Sequence, residues 1–304
     1  MQQSTGYQHL AYAHSFSEFG TPRELPHCGG WILERPIEGT PYKDAMGCYP
    51  LFTCRDLHNL HIDLAALAHD LVTLVLVTDP FADIEVAYLK NCFDLVKPFK
   101  CHYVFDLTQP LANSVNKHHR YYARKSLREI EVEVCYEPSR YVDEWIELYN
   151  NLISKHDIKG VRAFSPECFH KQLNTPGMVL FVGKLRGEVV GAHLVAMHDA
   201  VAYSHLAAFS TIGYQTNAAY GIYWITLEHL AAQKLAYIDL GAAAGLEEKP
   251  TDGLSRFKRG WSNMTRMAYL CGQVFDPQKY AETCRRNLIG STDYFPAYRV
   301  GEFD

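Results

Sequence analysis

The stretch DGLSRFKRGWSN, Asp252 to Asn263, crowds Arg256, Lys258 and Arg259 around Phe257, with Trp261 just beyond. A fixed cation near a carbonyl under attack by an amine stabilises the negative charge that develops on oxygen, by about 3 kcal/mol. Asp239 stands near the end of the apolar run YIDLG and needs hydrogen-bond partners once buried. It suits orientation of a loop through backbone N–H groups, with general-base duty as the second reading. His205 lies in YSHLAAFS, and an imidazole is the side chain best suited to accept an amine proton near neutral pH. Period-two counting puts Tyr203, Ala207 and Phe209 on the face of His205.

Other groups carry weaker chemistry. NKHHRYYARKSLRE brings Lys117, His118, His119, Arg120, Arg124, Lys125 and Arg128 together with Tyr121 and Tyr122. Its basic side chains offer contacts to a nucleic-acid backbone, and equally form the exposed face of a helix. No carboxylate or cysteine stands at ligand spacing from His118 and His119, so no metal is expected. Nine cysteines are scattered without a CxxC pair, which indicates neither a disulfide framework nor a zinc site. Trp31, Tyr42, Asp44 and Tyr49 cluster around two expected strands and a turn.

These residues need a scaffold. At 304 residues the chain fits two domains of roughly 150 residues each. An apolar content of 48% and a charged content of 21% are those of a globular protein, and a net charge of −5 argues against a general polyanion binder. No apolar run reaches the ~18 residues of a membrane span. The first residues show neither the basic nor the apolar region of a signal peptide, so the expected compartment is the cytoplasm.

Short apolar runs alternate with amphipathic segments throughout, which gives an α/β (α+β) class. In the first half, GGWILERPI and MGCYPLFTC read as strands. RDLHNLHIDLAALAHD reads as a helix with Leu57, Leu60, Leu64 and Leu67 on one face, and LVTLVLVTD as a buried strand. PLANSVNKHHRYYARKSLRE reads as one long helix and IEVEVCYEP as a half-buried strand, with a domain boundary near Pro138 (1–138 and 139–304). The second half continues with YVDEWIELYNNLISKHD and SPECFHKQL as helices. MVLFVGKLRG, EVVGAHLVAMHD and AVAYSHLAAFS form an antiparallel meander, followed by the helix AAYGIYWITLEHLAAQK and the strand AYIDLG.

Meander, helix, strand, loop and strand in this order resemble the GNAT superfamily core, in which two strands splay apart to admit an acyl donor. Four stretches together resemble the Fem-like (FemABX-type) tandem-GNAT acyltransferases: NKHHRYYARKSLREIEVEV, GEVVGAHLVAMHDAVAYSHLAAFS, GIYWITLEHLAAQKLAYIDLGAAAG and DGLSRFKRGWSN. The resemblance covers about residues 112–275 well and residues 27–107 in architecture only. It implies two tandem GNAT-like domains, each a mixed, mostly antiparallel sheet flanked by helices, with the donor cleft in the second.

The resemblance further implies an N-acyltransferase that forms an amide by direct attack of an amine on an activated acyl or aminoacyl donor. No covalent intermediate, permanent cofactor or metal is needed. The lysine of the family's Phe-Lys falls on Lys258, in a charge-stabilising or positioning role, beside His205 and Asp239 as the other catalytic candidates. Tyr203, Ala207, Phe209, Gln215, Asn217, Tyr220 and Phe257 fall on the donor side. Trp31, Tyr42, Asp44 and Tyr49 fall on the wall for a small-molecule or peptide amine. Lys117, Arg120, Arg124, Lys125 and Arg128 are placed to contact tRNA. The family's Gly-Pro element in the first domain is replaced by EGTPYKDAMGCYPLF, which speaks against a cell-wall muropeptide acceptor. The glycine-spaced signature for coenzyme A pyrophosphate is replaced by Gln215 to Ala219, which favours aminoacyl-tRNA over acyl-CoA as co-substrate. An acetyl-CoA- or acyl-CoA-dependent N-acetyltransferase is the first alternative, and a non-catalytic binding module of the same fold the second.

Overall fold

A computed structural model describes residues 4–156, 158, 160–243 and 253–302. The chain forms two compact units. One comprises Tyr7–Phe99, Lys159–Phe164 and Met267–Asp304; the other comprises Met1–Gly6, Lys100–Ile158 and Ser165–Arg266. Pro138, the expected boundary, lies inside the second of these, where the strands on either side of it are hydrogen-bonded to each other.

The first unit opens with α1 (Leu10–Ser15), β1 (Thr21–Leu25), β2 (Gly30–Pro36) and β3 (Lys43–Gly47). It continues through α2 (Leu60–Leu67), β4 (Thr73–Val77) and α3 (Val86–Cys92). β1, β2 and β3 pair antiparallel, and β3 pairs parallel with β4. The expected stripe Leu57, Leu60, Leu64 and Leu67 is buried against Ile32, Leu74 and Leu76 of this sheet. The sequence pattern does not predict β1, because TPREL buries only Leu25 and shows no apolar alternation.

β5 (Leu95–Asp106) carries the chain into the second unit. α4 (Leu111–Ser114), α5 (Lys117–Ser126), β6 (Glu131–Cys135), α6 (Val142–His156) and α7 (Pro166–Leu173) follow. Next come β7 (Met178–Leu185), β8 (Glu188–His198), β9 (Val201–Phe209), α8 (Thr211–Gln215), α9 (Ala218–Ala232), β10 (Tyr237–Asp239) and α10 (Gly253–Trp261). β11 (Met264–Val274) returns to the first unit, where it pairs antiparallel with β4, and α11 (Pro277–Arg286) follows it. In the second unit the sheet order is β5-β10-β9-β8-β7-β6, antiparallel except for β9 and β10.

Local chemistry explains the boundaries. Arg186 and Gly187, at φ 53° and 87°, form the two-residue hairpin turn between β7 and β8. Ser165 caps α7 by accepting from Cys168 N at 3.0 Å, with Pro166 at the first helical position. The long helix expected from Pro110 onward is two: Val115 and Asn116 are extended, and the Asn116 side chain accepts from His118 N at 2.8 Å, which starts α5 afresh. Within DGLSRFKRGWSN, Gly253 to Trp261 form the helix α10; Asp252 and the rest of 244–252 lie outside the described residues.

Candidate functional site

β9 and β10 lie side by side for three steps only: Tyr237 opposite Val201, Ile238 opposite Ala202 and Asp239 opposite Tyr203. Beyond Asp239 the chain stays with β5. Leu240 N donates to Tyr103 O at 2.8 Å and Tyr103 N donates to Gly241 O at 3.1 Å. The pairing of β9 with β10 thus ends at Tyr203, and the two strands part from Ser204 onward. A parallel pair that parts in this way opens the sheet between its two strands.

Lys258 stands at this opening. Its ammonium donates to Ala242 O at 2.7 Å, and a Cβ added at Gly241 would lie 3.0 Å from Nζ. Gly241 has φ 76°, which only glycine adopts freely. Phe257, the residue before Lys258, packs in an aromatic cluster with Tyr223 at 5.0 Å, Tyr220 at 5.2 Å and His119 at 5.5 Å between ring centroids. His119 Nε2 and Phe257 O are 2.9 Å apart, and burial lowers the basicity of this imidazole. Helix α10 is thereby held to α5 and α9, which fixes the stem of Lys258.

Asp239 is buried and bonded on both oxygens. Oδ1 accepts from Gly241 N at 2.7 Å and Oδ2 lies 2.7 Å from Nδ1 of His102 on β5. One carboxylate thus ties the turn that carries the Lys258 contact to an imidazole on the neighbouring strand. The loop-orienting reading of Asp239 has its geometry here; His102 had no part in the sequence reading, because no strand-level count places it beside β10.

His205 has a different setting from the one expected. The β8–β9 register runs Leu194 with Leu206 and Val195 with Ser204, so His205 is the extra residue of a β-bulge. The bulge breaks period-two counting: Ala207 and Phe209 pack with Ala202 in the cluster beneath α9, whereas His205 Nε2 lies 3.3 Å from Oε1 of the fully buried Gln172 on α7. Tyr203 is buried, its ring stacked 6.2 Å from that of His198. Burial pushes the pKa of His205 down to about 3, so the ring is neutral.

On the α9 face, His193, Ser204, Tyr223 and Thr226 form a network that sequence reading missed. The Thr226 hydroxyl donates to Ile222 O at 2.9 Å, so its oxygen accepts from His193 Nδ1 at 3.2 Å. That leaves His193 Nε2 as acceptor for the Ser204 hydroxyl at 2.7 Å. The imidazole stacks on Tyr223 at 4.2 Å and 5°. Burial, with the charge of Lys258 second, lowers its pKa to about 3. Polar residues at inward positions of two apolar strands were the available signal, but only the strand register puts 193 beside 204.

The remaining expected donor residues follow α9. Gln215 is exposed at the end of α8, and Asn217 takes a left-handed φ of 57° between the two helices. The backbone of this stretch is engaged within α8: Gly213 N donates to Ser210 Oγ at 3.1 Å and Thr216 N to Ile212 O at 2.9 Å. Gly221 is a packing glycine, since a Cβ there would stand 2.9 Å from Ser126 Oγ of α5. On α5 and just beyond it, Lys117, Arg124, Lys125 and Arg128 are exposed, as is Tyr121, whereas Arg120 turns back to donate to Ala112 O.

In the first unit, Asp44 is fully buried. It accepts from Arg299 Nε and Nη2 at 2.9 Å each and lies 3.4 Å from Arg35 Nε. Its charge serves this internal cluster, which sets it apart from a substrate-facing wall. Tyr49 packs edge-on to Phe164 at 5.9 Å, Trp31 is half-buried against His14, and the Tyr42 hydroxyl donates to Glu282 at 3.3 Å. Among the described residues, no group of three His, Cys, Asp or Glu side chains is arranged to hold a metal ion.

Residues 113–259, which hold α5, the meander, α9, β10 and Lys258, match the family model described as the acetyltransferase (GNAT) domain. This part of the chain is a GNAT domain. The domain is of the GNAT acyltransferase type, and the fold of the chain is similar to that of FemX. The structure of FemX superposes with a TM-score of 0.67 at 13% identity, covering 90% of this chain and 93% of that one. The C-terminal domain of a putative lysylphosphatidylglycerol synthetase from Agrobacterium fabrum gives 0.63 at 14% identity, with 90% of each chain covered. L-PGS from Bacillus licheniformis gives 0.58 at 15%, covering 96% of this chain and 100% of that one. No curated relative matches the sequence. Both expectations of fold, a mixed sheet flanked by helices and a Fem-like tandem-GNAT resemblance, are met. No helix among the described residues is long and apolar enough to cross a membrane.

Proposed function

We propose that this GNAT domain transfers an aminoacyl group from an aminoacyl-tRNA to an amine, forming an amide without a covalent enzyme intermediate. The observation that carries the reading is the parting of β9 and β10 at Ser204 with the Lys258 ammonium held at the Gly241–Ala242 turn. The acyl group enters the opening between β9 and β10, and Lys258 stabilises the oxyanion. Two observations favour aminoacyl-tRNA. The entry to α9 has no glycine-spaced loop, and Gly213 N and Tyr214 N of α8 are both bonded to Ser210. Among similar folds stands a domain of a putative lysylphosphatidylglycerol synthetase. The exposed basic side chains of α5 supply a surface for the tRNA backbone. The cytoplasm, where charged tRNA is available, is the compartment this reading requires.

The acetyltransferase description of the family model favours an acyl-CoA donor as the second reading. The test offers the protein either tRNA charged with radiolabelled amino acids or radiolabelled acetyl-CoA, each with a panel of small amines and peptides. Base-stable label transferred from tRNA supports the proposal. Transfer from acetyl-CoA alone, with saturable binding by calorimetry, replaces it with the second reading, and turnover from neither donor overturns both.

A further inference from the structure

We infer that His102, oriented by Asp239, is the group that takes the proton from the attacking amine; this rests on the acyl-transfer reading above. His102 and Asp239 are 6% and 2% exposed, and their 2.7 Å contact is made on one face of the sheet. The other carboxylate oxygen of Asp239 is occupied by Gly241 N–H. An ionised carboxylate only accepts, so His102 Nδ1 carries a proton, and in the neutral form of the ring Nε2 presents the lone pair. This is how a buried aspartate sets the tautomer of a catalytic imidazole in hydrolases.

The topology puts that lone pair at the parting of the strands. Asp239 is the last residue of β10 to pair with β9, and it also stands opposite Val104 of β5. β5 runs antiparallel to β10, so stepping back from Val104 to His102 continues past the end of β10, toward the opening. The imidazole and Lys258 then flank the same turn: Asp239 grips it through Gly241 N, and Lys258 through Ala242 O. The other imidazoles are less suited. His193 has Nε2 engaged by Ser204, and His205 is turned to Gln172; both have pKa values lowered to about 3. In the reaction the amine nitrogen bonds to the acyl carbon and the carbon–oxygen or carbon–sulfur bond to the carrier breaks. The amine proton goes to His102 Nε2, and from there to the carrier's oxygen or sulfur.

Native protein treated with diethyl pyrocarbonate at neutral pH, with carbethoxylation mapped by mass spectrometry, tests the free lone pair. His102 is expected to react, at least several-fold more slowly in Asp239→Asn, whose amide can donate to Nδ1 and reverse the tautomer. Exposed His118 is the internal control. In transfer assays His102→Gln is expected to lower kcat about 100-fold with KM little changed, and imidazole in solution to restore part of the activity of His102→Gly. The inference is overturned if His102 stays unmodified while His118 reacts, or if His102→Gln transfers at the native rate. Loss of transfer in Lys258→Ala but not in His102→Gln would reject the dyad alone. A wild-type protein inactive with both donors would reject the acyl-transfer reading, and with it the catalytic role of His102 that rests on it.

Discussion

Lys258 and Ala242 are joined across sixteen residues of chain by one hydrogen bond of 2.7 Å, ammonium to carbonyl. The bond holds the ammonium at the Gly241–Ala242 turn, where the proposed reaction needs a group to meet a developing oxyanion. Lys258→Met keeps most of the apolar stem and removes the charge. Transfer is expected to fall about 100-fold in kcat, equivalent to about 2.7 kcal/mol of transition-state stabilisation. Urea denaturation midpoints of the two proteins should agree closely.

Gly241 is the second half of that contact. Alanine there meets two costs: a positive φ of 76° and a methyl group 3.0 Å from the lysine nitrogen. Gly241→Ala should lose about 1–2 kcal/mol of stability and displace the amine from its seat. Denaturant unfolding and steady-state kinetics on the same preparation separate the two effects.

His193 and His205 make stability fall in acid. Each has a folded pKa of about 3 against an ordinary value of 6.5, so between these values the unfolded chain binds more protons than the folded one. Stability therefore rises with pH through this window and is lost as pH falls below about 6, by roughly 1.4 kcal/mol per pH unit for each histidine. Urea unfolding at pH 7.5, 6.0 and 5.0 should show this slope. Replacing either residue with glutamine should flatten it by about one histidine's share, and an unchanged slope would refute the assignment.

Asp44 holds two arginines in the first unit. Asp44→Ala leaves Arg299 and the buried Arg35 without their shared carboxylate and should cost about 3 kcal/mol or more. The readout is the denaturation midpoint.

The basic row on and just beyond α5 bears on the donor. Glutamate at Arg124, Lys125 and Arg128 together should weaken tRNA binding at least tenfold at 50 mM salt and reduce its salt dependence. Fluorescence titration of tRNA at several salt concentrations checks this, with circular dichroism to confirm folding.

What the sequence determined by itself was order and type. Alternation in MVLFVGKLRG, EVVGAHLVAMHD and AVAYSHLAAFS and the helical run from Ala218 specify a meander followed by a helix and a strand, because periodicity is local information. The position of Lys258 after YIDLGAAAG also pointed to the site through the family resemblance. Tertiary structure alone decided which side chains meet. One extra residue at His205 turns Ala207 and Phe209 to the opposite face, and nothing in YSHLAAFS marks it, since a bulge is defined only against the partner strand. His102 reaches Asp239 across 137 residues of chain, and His193 reaches Ser204 only through the hairpin register. Asp44, a polar residue in a turn-rich stretch, resembled a ligand contact until Arg299 closed on it from 255 residues away. Burial and long-range pairing decide the chemistry of a polar side chain, and neither is a property of its local sequence.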